Sequence, residues 1–104
     1  APRIGGSHLQ AFVNRNVTIV GRVISQSPEL HVLEAADGQK INIEPSAGST
    51  YDSAYVELVG HVHEDLHVQE FISRSYGNNF DLEKYNSLLQ LIHGEYAPLF
   101  MATD

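Results

Sequence analysis

The chain has 104 residues, 42% of them hydrophobic, which is enough for one compact domain around a single core. It has no cysteine, which excludes a disulfide scaffold, thiolate catalysis and a thiolate zinc site. The formal net charge is −7, and its six Lys and Arg residues are scattered, so strong autonomous binding to nucleic acid is not expected. No apolar run is long enough for a membrane span.

The first three quarters of the chain predict a short helical turn followed by strands. Ser7–Phe12 predicts one or two helical turns with Ser7 as the N-cap. The Asp37-Gly38 pair predicts a tight hairpin turn because both residues tolerate positive φ, and Pro45–Asp52, rich in Ser and Gly, predicts a loop. The predicted strands, which are β-branched or alternate apolar and polar residues, are Val17–Ser25, His31–Ala35, Lys40–Glu44, Ala54–His63 and His67–Ser75.

Two of these strands share the pattern Val-x-aliphatic-Val-Gly-x-Val, at Val17–Val23 and again at Val56–Val62. A glycine inside a strand indicates a bulge or a sharp bend. We expect each of the two strands to change its buried face at the glycine, as strands do at the corners of small barrels. Five strands, two of them bent, predict a mainly β protein: a five-stranded Greek-key barrel of the OB-fold type followed by an α-helix.

The segment from Phe80 to Gly94 predicts the one long amphipathic helix. Asp81 is a suitable N-cap, Phe80 and Tyr85 are spaced for a hydrophobic staple, and Gly94 is suited to end the helix. We therefore expect an OB-fold barrel over residues 1–76, and a linker with an assembly helix over residues 77–104.

The apolar arc of this helix covers about half of its circumference at roughly 100° per residue. A helix that only lies on its own domain needs a narrower stripe, although a helix that closes the end of its own barrel would also be apolar. The width favours contact with another chain. The predicted partner-binding residues are Leu82, Tyr85, Leu88, Leu89, Leu91 and Ile92.

Several short motifs, taken in this order, resemble the smallest subunit of eukaryotic replication protein A. The barrel motifs are moderately specific, whereas the entry and end of the helix are the more specific part. The motifs are Pro2-Arg-Ile4, Leu9-x-x-Phe12-Val13, Val20-Gly-Arg-Val23, Asp37-Gly38, Val56-x-Leu-Val-Gly-x-Val62, Phe80-Asp-Leu-x-x-Tyr-Asn86 and Ile92-His93.

The resemblance implies an OB-fold whose C-terminal helix joins one helix from each of two larger subunits in a three-helix bundle. The implied partners are thus the large and middle subunits of a nuclear heterotrimer. That complex binds single-stranded DNA in replication, repair and recombination, and the smallest subunit is mainly structural. No cofactor is implied. A small OB-fold subunit of a telomere-capping complex, with the same architecture and different partners, is the alternative.

Direct contact with nucleic acid is a weaker possibility. Tyr55 is a candidate for stacking on bases, and Arg22, Lys40 and Arg74 are candidates for contacting phosphates if folding brings them together. A packing role is the competing interpretation for the strand aromatics, Phe71 and Tyr76 included. A few scattered cations supply little affinity at physiological salt, so an autonomous weak binder remains an alternative.

A catalytic function is not expected. His61, His63 and His67 have the residue type for a zinc site, but exposed strand histidines are the default interpretation. The sequence contains no nucleophile elbow and no glycine-rich phosphate loop. We therefore predict no catalytic residue and no metal, with a metal-dependent enzyme as the least favoured alternative.

Overall fold

The computed structural model describes residues 1–94. A 3₁₀ helix precedes five strands, and an α-helix follows them. The elements are the 3₁₀ helix Gly6–Phe12, β1 (Asn16–Gln26), β2 (His31–Ala35), β3 (Lys40–Glu44), β4 (Tyr55–Val62), β5 (Val68–Ser75) and α1 (Leu82–His93). In this part of the chain, no helix is long and apolar enough to cross a membrane.

The five strands form a closed barrel in the order β1-β2-β3-β5-β4, with β4 returning to β1. The β3–β5 pair is parallel and every other pair is antiparallel. Strand β1 is long enough to pair with two strands: its first part pairs with β4 and its second part pairs with β2. This arrangement confirms the predicted five-stranded OB-fold barrel with a following helix.

The two mid-strand glycines permit close approach of neighbouring strands. A Cβ on Gly21 would lie 2.8 Å from the Glu34 carbonyl oxygen, and one on Gly60 would lie 2.4 Å from that of Gln69. The expected change of buried face at these glycines is wrong. Core residues keep strict alternation across both positions, since a strand that bends without gaining a residue keeps its side-chain register. The extra residues lie elsewhere, at Ile24 in β1 and Phe71 in β5.

The core fills the barrel and is closed at both ends by segments outside the sheet. The 3₁₀ helix covers the end where β1 begins, and the loop between β3 and β4 covers the end where β1 finishes. The main cluster consists of Ile4, Leu9, Phe12, Val17, Ile19, Leu33, Ala35, Ile41, Ile43, Tyr51, Val56, Leu58, Val62 and Val68.

An N-terminal arm, residues 1–5, lies along the edge of β1 that β2 leaves free. The Ile4 amide donates to the Thr18 carbonyl at 3.0 Å, and the Thr18 amide donates to the Pro2 carbonyl at 2.8 Å. Arg3 and Thr18 pair in parallel. The arm thus satisfies backbone groups of β1 that would otherwise face solvent, and it puts Arg3 next to the outer face of the sheet.

Asp37, in the hairpin turn, caps the 3₁₀ helix across the chain. Its carboxylate accepts from the amides of Gly6 at 3.2 Å and Ser7 at 2.8 Å. The expected N-cap, Ser7, is therefore wrong: the cap position is Gly5, and a distant carboxylate supplies the acceptor. Burial acts to raise the pKa of Asp37, but hydrogen bonds from Ser7, Gln39 and Gly6 outweigh it and hold the pKa below its ordinary value.

Replacing Asp37 by asparagine tests this cap. We expect the free energy of unfolding at neutral pH to fall by about 1 kcal/mol, the usual worth of a helix cap. Because the folded-state pKa is depressed, the carboxylate stabilises the fold above its ordinary pKa of 3.8 and loses that effect as pH falls through the folded value. Urea unfolding across this acid range should show the free energies of unfolding of Asp37→Asn and the parent becoming equal as pH falls. The exposed Asp52→Asn is the control, and a gap that persists in acid would contradict the assignment.

Candidate functional site

Helix α1 begins and ends with the local chemistry that the sequence predicts. The Asp81 side chain accepts from the Lys84 amide at 3.0 Å, which confirms it as the N-cap. The rings of Phe80 and Tyr85 meet edge-on at 5.6 Å, as a hydrophobic staple requires. Gly94 follows the last helical residue and donates its amide to the Leu91 carbonyl. The direction in which the helix leaves β5 is therefore set by residues around its first turn.

One face of α1 packs on the outside of the chain's own barrel. Tyr85 and Leu89 are buried against Val20, on the outer face of β1. Ala36, Tyr76, Phe80 and Leu82 surround this contact. Burying a leucine-sized side chain contributes about 1.5–3 kcal/mol, so the contact is large enough to hold a helix of this length in place.

The C-terminal end of the helix is attached to the N-terminal arm. The His93 Nε2 atom lies 2.6 Å from the Arg3 carbonyl oxygen, to which it donates. The His93 ring stacks on His8 with 4.1 Å between centroids. Burial, and then the neighbouring His93, lower the pKa of His8, while Asp37 opposes them. A neutral His8 is therefore favoured, and the stability this site provides is lost as pH falls below the ordinary histidine pKa of 6.5.

The flank of the helix beside this buried face carries exposed apolar residues. Leu88 is 43% exposed and Leu91 is 53% exposed, whereas Ile92 is half-buried beside them. The sequence pattern placed all six apolar residues on one partner face. In the folded chain the barrel occupies the Leu82, Tyr85 and Leu89 part of that face, because the helix folds back across β1. The apolar surface that the helix leaves exposed centres on Leu88 and Leu91.

Glu57 on β4 connects the arm, the sheet and the helix. Its side chain is 12% exposed and accepts from Arg3 Nη1 at 3.0 Å and from Arg74 Nε at 2.7 Å. Arg3 Nη1 also donates to the Tyr85 hydroxyl at 3.1 Å. Burial raises the pKa of Tyr85, so the hydroxyl stays protonated at neutral pH. A single carboxylate thereby positions both arginines, and one of them positions the helix.

Three of the four candidate nucleic-acid residues lie in one row across the outer face of the sheet. Strand register aligns Tyr55 with Arg22, Arg22 with Glu34, and Glu34 with Lys40. Within the row, Arg22 Nε and Nη2 both donate to Glu34 Oε1 at 3.1 Å. Arg74 is not part of it and is bonded to Glu57 on β4. Two of the three candidate phosphate ligands thus already hold a carboxylate.

The rings of the three histidines near the β4–β5 turn are in contact, edge-on for His61 and His63 and stacked for His63 and His67. Ring centroids lie 5.2 Å apart for His61 and His63 and 4.5 Å apart for His63 and His67. Their ring nitrogens contact neighbouring side chains: Asn16 for His61, Gln69 for His63, and Asp65 and Glu44 for His67. Nowhere in residues 1–94 do three or more His, Asp or Glu side chains converge so that they could hold a metal ion.

Sequence reasoning missed the carboxylates that define these surfaces. Glu34 and Glu57 lie opposite arginines only because of strand register, and Asp37 reaches residues about thirty positions away. An alternating strand pattern shows which side chains point outwards, but it does not show which strands are neighbours. The only sign of these ion pairs in the sequence was the presence of acidic residues at outward positions of the predicted strands.

The chain is similar to known proteins in sequence and in fold. Residues 1–100 match the model of the family described as replication factor A protein 3. The chain is 28% identical over 98 residues to the replication protein A 14 kDa subunit of Oryza sativa subsp. japonica, covering 94% of this chain and 92% of the relative.

Two solved structures are similar in fold. A chain in the structure of U. maydis replication protein A bound to ssDNA superposes with a TM-score of 0.85 at 24% identity, covering 96% of this chain and 94% of that one. The telomere capping protein Ten1 from Saccharomyces pombe superposes with a TM-score of 0.70 at 15% identity, covering 86% of this chain and 94% of that one.

Replacing Glu57 by glutamine tests its role in holding the helix. The change removes the charge between two arginines while keeping the shape, so we expect a loss of about 1.5–3 kcal/mol in the free energy of unfolding. Amide hydrogen exchange should quicken in α1 more than in β2. Glu34→Gln is the matched control, since its pair with Arg22 is exposed and worth at most about 1 kcal/mol. Equal effects of the two variants would contradict this role.

Proposed function

Because the chain belongs to the replication factor A protein 3 family, we propose that it is the structural small subunit of a heterotrimeric replication protein A complex. Its mechanism is assembly rather than catalysis. The barrel presents α1, and α1 packs with one helix from the large subunit and one from the middle subunit. The complex, rather than this subunit, binds and protects single-stranded DNA in replication, repair and recombination, and its location is the nucleus.

The observation that carries this proposal is the pair of exposed leucines on a fixed helix. Tyr85, Leu89 and His93 hold α1 on the barrel, so Leu88 and Leu91 are presented to solvent in a defined orientation. A helix already held in place loses little conformational freedom when a partner binds, which lowers the cost of association. The six predicted interface residues therefore divide into two roles. Tyr85 and Leu89, with Leu82, set the orientation, and Leu88, Leu91 and Ile92 meet the partner helices.

The ion pairs of the arginines support the proposal that direct contact of this chain with DNA is minor. Arg22 and Arg74 each hold a carboxylate, and the chain carries a net charge of −7. Binding a phosphate at either arginine would require displacing its carboxylate or sharing the guanidinium with it. Affinity for a polyanion depends mainly on the number of cations that neutralise phosphates. We therefore propose little or no autonomous binding, with Lys40 and Tyr55 as the more available contacts.

A small subunit of a telomere-capping complex is the second candidate. The fold similarity to Ten1 supports it, at 15% identity. The two candidates share an OB-fold barrel with an exposed helix and differ in the larger subunits that they bind. Identity of the co-purifying subunits separates them.

Placing a negative charge at each exposed leucine tests the assembly role. We expect Leu88→Glu/Leu91→Glu to abolish a 1:1:1 complex when co-expressed with the large and middle replication protein A subunits. Burying two unpaired carboxylates in an apolar bundle should weaken association at least about 100-fold. Size exclusion with light scattering measures the stoichiometry. Because both side chains are exposed, the free energy of unfolding of the isolated chain should change by less than about 1 kcal/mol.

Ser87→Glu/Gln90→Glu is the matched control, because it adds the same charges at exposed positions of the same helix. This control should still assemble. A complex that survives the Leu88 and Leu91 changes would overturn the helix as the assembly element. If the parent chain fails to associate with these two subunits but binds the telomere-capping partner, the second candidate replaces the first.

Removing the carboxylate beside Arg22 tests the prediction of weak DNA binding. Fluorescence anisotropy with oligodeoxythymidine should show weak binding by the parent chain at physiological salt. The slope of log K against log salt should correspond to no more than about two phosphate contacts. Glu34→Gln should strengthen binding a few-fold by freeing Arg22. Tight, steeply salt-dependent binding by the parent would instead establish an autonomous DNA-binding function.

A further inference from the structure

The outer face of β4 and β5 carries the most exposed apolar residues of the barrel. Ile72 is 67% exposed and Phe71 is 50% exposed, and Val59 lies opposite Ile72 across the two strands. We refer to Val59, Phe71, Ile72 and Arg74 as the β5 patch. A cavity of about 290 Å³ opens on this face of β4 and β5, and its lining includes Val59, Ile72 and Arg74. Exposed apolar groups gathered around a concavity are typical of a binding surface.

A local feature of the fold produces this exposure. Val59 pairs with Ile72 and Gly60 pairs with Glu70, so Phe71 is an extra residue that forms a β-bulge. The bulge lies beside Gly60, where the strands approach too closely for any side chain. A bulge leaves its extra residue without a cross-strand partner and can turn its side chain in a new direction. The outward position of Phe71 is therefore built into the strand pairing.

Strand β5 has a free edge next to the patch. β3 pairs with it only at Val68 and Gln69. Glu70 is buried and accepts hydrogen bonds from Ser46 and Ser49 of the loop between β3 and β4. From Phe71 to Ser75, within the described residues, β5 has a hydrogen-bonded strand neighbour on the β4 side alone. An exposed edge with apolar side chains is a template for adding an extended segment of another chain.

The side chain of Arg74 is positioned at the rim of the patch. Its Nε donates to Glu57 at 2.7 Å, and its guanidinium lies 5.4 Å from the centre of the Tyr76 ring. The side chain is nevertheless 66% exposed. With Arg3 also on Glu57, two arginines face one carboxylate, which leaves a local formal charge of +1 on a chain of net charge −7. A guanidinium held in this way is suited to bind a further carboxylate.

We propose that the β5 patch is a docking site for an extended segment of a partner protein that alternates apolar and acidic residues. The segment adds to the free edge of β5. Its apolar side chains cover Phe71 and Ile72, next to Val59, and one carboxylate pairs with Arg74. This proposal concerns a different surface from the Leu88 and Leu91 face, so it does not depend on the assembly role of α1.

The composition of the patch favours this occupant over two others. A nucleic acid strand would find only one local positive charge, on a chain that is acidic overall. Its bases need flat rings to stack on, and two of the three apolar residues of the patch are aliphatic. A second copy of the chain would bring another −7 of net charge to the same surface, which opposes association. A partner segment with both apolar and acidic side chains matches the neighbours that are present.

Chemical-shift mapping with the full chain tests the proposal. The probe is a short capped peptide that alternates aspartate and isoleucine, added to ¹⁵N-labelled protein at physiological salt. We expect concentration-dependent shifts at the amides of Gln69–Ser75 and Val59. A counterpart with lysine in place of every aspartate is the control for charge. General attraction to an acidic chain favours the lysine peptide, whereas docking on Arg74 favours the aspartate peptide.

Variants make the test specific. Arg74→Gln should weaken binding of the aspartate peptide about fivefold, the usual worth of an exposed ion pair, and Ile72→Ser should also weaken it. Arg15→Gln removes an exposed arginine elsewhere and should leave binding unchanged. Equal or stronger binding of the lysine peptide, or the absence of shifts at β5 with millimolar peptide, would overturn the proposal. Larger shifts of the same amides by oligodeoxythymidine would assign the surface to nucleic acid instead.

Discussion

The carboxylate of Glu57 lies where three separate parts of the chain meet. It accepts from Arg3 of the N-terminal arm and from Arg74 of β5, and Arg3 in turn donates to the Tyr85 hydroxyl on α1. The Glu57 side chain is only 12% exposed, and charge-assisted hydrogen bonds to a largely buried carboxylate are stronger and more directional than fully exposed ion pairs. The orientation of the helix and the orientation of Arg74 therefore depend on the same group, although the two lie on different surfaces.

This connection explains how one small helix is held on the barrel and still carries an exposed apolar surface. A helix of twelve residues is marginally stable alone, so tertiary contacts must hold it before it can present anything. Tyr85 and Leu89 use one side of the apolar arc for that purpose, and His93 attaches the far end to Arg3. The excess width of the arc then has a physical meaning. Part of it stabilises the helix on the barrel, and the remainder, around Leu88, stays exposed.

Features set by neighbouring residues could be predicted from the sequence. The hairpin strands β2 and β3, the Asp81 cap and the Phe80–Tyr85 staple depend on spacings of a few residues, and their chemistry is local. The barrel topology was also predictable in outline, because five short strands with two glycine-containing ones have few ways to close.

Features set by register or by distant contacts could not be predicted in this way. Alternation shows that Glu57 points outwards, but only the pairing of β4 with β5 and the path of the N-terminal arm bring two arginines to it. The division of the helix face had the same origin, since the amphipathic pattern cannot distinguish a partner chain from the chain's own β1.

Pairing of the arginines also accounts for how an acidic chain shares its fold with a chain of U. maydis replication protein A, whose structure was solved bound to ssDNA. The carboxylates of Glu34 and Glu57 form ion pairs with Arg22 and Arg74, which a DNA-binding barrel would leave free. On the Glu57 side the pair is structural, because the carboxylate positions both Arg3 and the helix. Selection for a well-oriented helix and for strong phosphate binding would thus compete for the same arginines. In this chain the observed hydrogen bonds favour orientation, which is the property that the proposed assembly role needs.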